Sequence, residues 1–198
     1  AGSYACHTGV RLAALCDADA ARVADAARHW GVDLACTSVD DALKRARPAL
    51  VSVCTPDETH AAVLEQVLQA PGVRAVLAEK PLARTVADAE RLVALAKERG
   101  VLLLVNYNRR FHPAYRRMRE ELAAGAIGEI TLVSGYYSKG VLHNGSHWFD
   151  LARWLAGEAR GGRVLGIGIH PWVFGAPHRI RYLAETLEAL AARGDVHL

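Results

Sequence analysis

The chain has 198 residues, 52% hydrophobic, 23% charged and 7% aromatic, which suits a globular protein with a core and excludes a disordered or fibrous one. Lys and Arg number 24 against 21 Asp and Glu, too even a balance for a nucleic-acid surface. No apolar run approaches the ~18 residues of a membrane helix, and the opening AGSYACHTG lacks the charged-then-apolar pattern of a signal peptide.

The first half alternates short apolar runs with longer helical stretches. Residues 10–15 read as a strand, followed by Asp17 and Asp19 and a helix through about His29. Ser38 with Asp41 three residues on reads as the capping box of a short helix. Residues 50–54 read as a strand that Thr55-Pro56 ends, and a helix follows from about 59 to 69. Residues 73–77 form the next strand, then Glu79-Lys80-Pro81. Thr85 and Asp88 open another helix as a capping box, and Gly100 stands where a C′ glycine belongs. Residues 101–105 are a continuous apolar strand. Further on, 113–124 reads as a helix and 130–137 alternates as a strand. Ser146 caps a helix to about Leu155, closed by Gly157. A glycine-rich joint at 157–162 precedes an apolar run, 164–169, and a helix at about 179–193.

Strands apolar on both faces between amphipathic helices predict an α/β fold, a Rossmann-like parallel sheet with helices on both faces. In such sheets ligands bind beyond the carboxyl ends of the strands. Asp17, Thr55-Pro56, Glu79-Lys80-Pro81 and Asn106 all follow strands and should line one edge.

An acidic residue in the position of Asp17 can accept bonds from both ribose hydroxyls of an adenosine and repel a 2′-phosphate; it can equally be a plain helix cap. Lys80, held extended by Pro81, could present an ammonium to a hydroxyl or carbonyl, or lie on a solvated surface. His143 and His147, with Asp150, form the densest polar cluster. Asp150 lies one turn from His147, and a histidine of near-neutral pKa can take a proton from an alcohol. The pair plus Asp150 could instead bind a metal, although Asn144-Gly145 argue against one helix through both histidines, and a core or capping histidine is the plainer alternative. The adjacent Arg109 and Arg110 read as a solvated face or substrate contacts. The four cysteines, at 6, 16, 36 and 54, form no C-x-x-C, which excludes zinc and thioredoxin-like sites. Cys16, Cys36 and Cys54 adjoin apolar runs and are expected to be buried, reduced thiols of a cytoplasmic protein.

Together these segments resemble the Gfo/Idh/MocA oxidoreductases over about residues 9–158. The elements, in order, are Leu15-Cys16-Asp17, residues 54–60, Glu79-Lys80-Pro81, residues 106–111 and residues 145–150. The resemblance implies an NAD(P)-dependent enzyme acting on a sugar or cyclitol hydroxyl. Asp17, Thr55, Pro56, His60, Glu79, Lys80 and Asn106 would then hold the cofactor, NAD rather than NADP. Lys80 and His147 would be catalytic, with His143 standing where the family has an Asp. In relatives the Lys80-Pro81 bond is often cis. No G-x-G-x-x-G precedes Asp17, so weak cofactor binding is expected, with a sheet lacking its middle strand and self-association into a homo-oligomer.

The expected organisation is a dinucleotide-binding domain at 1–107, the start of a partial α+β substrate domain at 108–160, and a divergent tail at 161–198. That tail, about 163–198, resembles the end of polysaccharide deacetylase-like proteins, with His170 as the counterpart of an assisting histidine. Two further readings stand beside the dehydrogenase: a folded module without catalysis, and a metal-dependent hydrolase using His143, His147 and His170.

Overall fold

The computed structural model describes residues 2–128, 130, 132–135, 137, 140, 144–156, 164–165, 188 and 192. His143, His170, the 157–162 joint and all but two residues of the expected tail helix lie outside the described residues.

A one-turn helix α1 (Gly2–Ala5) leads to β1 (Leu15–Cys16), α2 (Ala20–Trp30), β2 (Ala35–Cys36) and α3 (Val39–Ala46). Then come β3 (Leu50–Val53), α4 (Asp57–Gln69), β4 (Ala75–Ala78), α5 (Val86–Glu98) and β5 (Leu102–Val105). A 3-10 turn (Asn108–Phe111) passes the chain to α6 (Pro113–Ala123), β6 (Leu132–Val133), α7 (Ser146–Ala156) and β7 (Val164–Leu165).

The caps follow the sequence. Ser38 Oγ accepts the Asp41 N–H at 3.4 Å, and Thr85 and Asp88 bond each other reciprocally at 3.1 and 2.7 Å. Gly31 and Gly100, both left-handed at φ 64°, let α2 and α5 stop where they do. Asp19, not Asp17, caps α2, accepting from the N–H groups of Ala21 and Arg22 at 3.0 Å.

All pairing is parallel: β1 with β2, β3 with β4 and β4 with β5, and β6 with β7. Among the described residues no ladder joins β1 to β3. The strand expected over 10–15 shrinks to Leu15–Cys16, because residues 10–14 have no partner strand. The two-residue β2 is too short to leave a periodic signal, and it was not anticipated.

Register decides the two faces of β3–β4–β5. Val51, Val76 and Leu103 lie abreast, as do Val53, Ala78 and Val105. This face receives α4 and α5, whose Leu64, Leu68 and Leu92 are fully buried against it. On the other face Leu50, Leu102 and Leu104 are 41%, 57% and 48% exposed, and Tyr4 of α1 bonds Ser52. Of the cysteines only Cys36 is buried. Cys16 and Cys54 are exposed, since each sits at a strand's carboxyl end rather than inside the sheet.

Candidate active site

The strand ends build the site. Val53, Ala78 and Val105 are in register, so the next residues, Cys54, Glu79 and Asn106, leave the sheet side by side. Backbone bonds carry the ladder one step further: Glu79 N–H to Val53 O at 2.9 Å and Asn106 N–H to Ala78 O at 2.8 Å. Asn106 Nδ2 donates to Glu79 Oε1 at 2.7 Å. The Asn106 amide is therefore engaged in holding Glu79. Although Cys54 is exposed, partial desolvation by its neighbours pushes its thiol up, and the Glu79 carboxylate pushes it further.

Lys80 follows Glu79, joined to Pro81 by a cis peptide. Among the described residues the Lys80 ammonium has no hydrogen-bond or ion-pair partner. Thr55 Oγ1 lies 3.2 Å from Nδ1 of His60. His60 sits in the first turn of α4, only 2% exposed, and its Nε2 has no partner. Buried there, His60 can act on a ligand only through Thr55. Pro56 is the N-cap of α4 and offers no side-chain bond.

His147 stands near the start of α7, its ring edge-on to Tyr107 with centroids 5.8 Å apart. Its Nδ1 is buried without a partner. Burial holds the imidazole below its ordinary 6.5, and the positive charges of Arg109 and Lys80 add to this, while Asp150 and Glu79 oppose it. Lys80 and His147 thus feel each other's charge at one edge of the sheet. Asp150 does not bond His147. It takes Arg110 in a two-point ion pair, with Nε to Oδ2 at 2.8 Å. The Asp150 side chain is 9% exposed, so Arg110 is an internal partner rather than part of a solvated face.

Asp17 leaves β1 at the same end of its own sheet. Its Oδ1 accepts the Asp19 N–H at 2.9 Å and Arg22 Nη1 at 3.2 Å. One third of the carboxylate stays exposed. A hollow of about 350 Å³, lined by Leu12, Ala13, Asp33, Leu34 and Arg45 among others, lies at the amino ends of β1 and β2 and is separate from this edge.

Among the described residues no three His, Cys, Asp or Glu side chains converge as a metal site. No described helix is long and apolar enough to cross a membrane.

A family model, an oxidoreductase family with an NAD-binding Rossmann fold, matches residues 1–107. The chain belongs to the Gfo/Idh/MocA oxidoreductase family. Among its curated Gfo/Idh/MocA relatives, inositol 2-dehydrogenase 1 of Saccharopolyspora erythraea is 35% identical over 160 residues, covering 74% of this chain and 47% of the relative. The 1,5-anhydro-D-fructose reductase of Ensifer adhaerens is 34% identical over 166 residues, covering 82% and 47%. An oxidoreductase domain protein from Kribbella flavida superposes with a TM-score of 0.65 at 31% identity, covering 74% of this chain and 44% of that one. The same fold is seen in scyllo-inositol dehydrogenase from Lactobacillus casei with bound NAD(H) and scyllo-inositol, TM-score 0.70 at 22% identity, covering 79% and 52%. The chain spans about half the length of the curated Gfo/Idh/MocA relatives it matches.

Tyr107, Arg109, Arg110 and Asp150 acquire roles that no strand-end rule supplies. The signal was present as two paired charges forty residues apart, Arg110 and Asp150, beside the candidate Lys80 and His147.

Proposed function

We propose that this chain carries a nicotinamide site for hydride transfer between NAD and a sugar or cyclitol hydroxyl. The observation that carries the reading is the meeting of an unpartnered Lys80 ammonium with a His147 ring held neutral, at the carboxyl edge of a parallel sheet. The residues fit the group. Asp17 keeps a partly accessible carboxylate that would take ribose hydroxyls, and Thr55-Pro56, Glu79-Lys80 and Asn106 would hold the nicotinamide end. Bound NAD would supply a ring carbon that accepts or returns a hydride.

His147 takes the proton from the substrate hydroxyl as hydride departs from the same carbon. Lys80 orients that oxygen and stabilises its developing negative charge. Asn106 keeps the Glu79 carboxylate in place beside Lys80. His143, four residues earlier in sequence, is a third candidate for the proton path. Asp17 favours NAD over NADP, because its carboxylate repels a 2′-phosphate; Arg22, which could otherwise attract one, is occupied by Asp17.

Among the described residues no G-x-G-x-x-G follows a strand to cradle the pyrophosphate, which supports weak binding and a second reading, a folded module that neither binds the cofactor nor turns over. We place the dinucleotide unit at 1–107, the start of the substrate unit at 108–160 and a divergent tail at 161–198. Four free thiols support a cytoplasmic setting, and the exposed leucine face supports a homo-oligomer.

The test is oxidation of a panel of sugars and cyclitols with NAD, by the chain and by His147→Ala. Turnover lost in the variant with NADH binding retained supports the mechanism. Equal turnover in the two defeats it. Absence of both NADH binding and turnover in the unaltered chain selects the second reading.

A further inference from the structure

We propose that the Arg110–Asp150 ion pair is a clasp that holds α7, and with it His147, in the site. This rests on the assignment of His147 as the proton acceptor, and it concerns positioning residues that touch neither substrate nor cofactor.

The geometry is specific. Arg110 belongs to the 3-10 turn that follows β5, and Asp150 lies one turn after His147 on α7. Nε and Nη2 of Arg110 grip the two carboxylate oxygens together, a fork-to-fork contact that fixes both distance and angle. Among the described elements α7 packs chiefly on this 3-10 turn and on α6, with Trp148 and Phe149 also meeting Gly135 and Tyr137. The bearing of His147 on Lys80 therefore passes chiefly through the turn. Besides the clasp, His147 touches the turn by its ring edge on Tyr107. An edge-on ring contact is weak and tolerates sliding. A two-point ion pair with one carboxylate nearly buried does not. If Asp150 were free it would be an uncompensated carboxylate close to the ring, so clasp and site are built as one unit.

Among the described residues five groups bear on the His147 ring: Lys80 and Glu79 after β4, Tyr107 just before the turn, Arg109 within it, and Asp150 from α7 itself. This makes the test a matter of sign. The Asp150 charge favours the protonated ring, so Asp150→Asn with α7 unmoved lowers the His147 midpoint further. Release of α7 lets water reach the ring and raises the midpoint towards 6.5.

The experiment is an NMR pH titration of the His147 ring in the full chain and in Asp150→Asn, Arg110→Gln and Arg110→Lys. The clasp predicts an upward shift in all three, smallest in Arg110→Lys, which keeps the charge but offers one point of contact. Unchanged methyl signals of Leu64, Val76 and Leu92 show that the sheet remains folded. A downward shift in Asp150→Asn overturns the proposal, and so does an unmoved titration in Arg110→Gln. If a variant loses the core signals, Arg110→Lys alone decides, by an upward shift or none. No cofactor or turnover enters this readout. A failed clasp therefore leaves the His147→Ala assay standing, and a failed assay leaves the clasp.

Discussion

At neutral pH the His147 ring is uncharged, because burial and the charges of Arg109 and Lys80 oppose its protonation. A neutral ring can accept a proton, and this sets the pH dependence of the proposed alcohol oxidation. Rate is held as pH falls past 6.5 and drops only through the lower, folded-state midpoint. The same shift acts on stability with a definite sign: the folded midpoint is below the unfolded one, so the contribution is present above 6.5 and lost as pH falls through the folded value. A pH–rate profile with its acid limb at or above 6.5 contradicts this. His147→Ala should slow turnover by about 10²–10⁴-fold, and Lys80→Ala by about 10²–10³-fold, measured at saturating substrate. Asp17→Ala should narrow the preference for NADH over NADPH, read as a ratio of dissociation constants; an unchanged ratio removes Asp17 from the ribose site.

Elements set these residues in place through their ends. The parallel register brings Cys54, Glu79 and Asn106 out abreast, which is why a bond between residues 27 apart in sequence forms at 2.7 Å. The strand-end rule made this row legible from apolar runs alone, as it did the capping boxes at Ser38 and Thr85. It could not supply the Arg110–Asp150 pair, because no local period relates a 3-10 turn to a helix forty residues later. It also misplaced Cys16 and Cys54: an apolar neighbourhood in sequence says little about burial at a strand's last position. Residues 10–14 failed as a strand for want of a neighbour, since β propensity is realised only in a ladder. Two substitutions test the elements. Leu92→Ala, at a fully buried position of α5, should lower unfolding free energy by about 2–5 kcal/mol in urea titration. Gly135→Ala would drive a methyl into the indole of Trp148, next to His147, so turnover should fall with α4 and α5 intact by hydrogen exchange. Unaltered turnover there would mean that Trp148 moves aside freely.

Across the whole molecule, the three-stranded sheet wears its helices unevenly. One face is sealed by α4 and α5, and the other shows Leu50, Leu102 and Leu104 to solvent. Exposed leucines beside unpaired strand edges favour association. Leu102→Glu should shift light scattering towards the monomer without weakening NADH binding, since Leu102 opens β5 and the proposed site lies beyond its carboxyl end. A monomer already in the unaltered chain contradicts the homo-oligomer. The central claim is that Asp17, Thr55, Lys80 and His147, drawn from two separate parallel sheets and α7, act on one nicotinamide dinucleotide. The most direct measurement is an NMR titration of the full chain with NADH. The account predicts saturable shifts at those four residues, weaker than low micromolar, and smaller effects with NADPH. Shifts confined to other surfaces, or none at millimolar NADH, would contradict it.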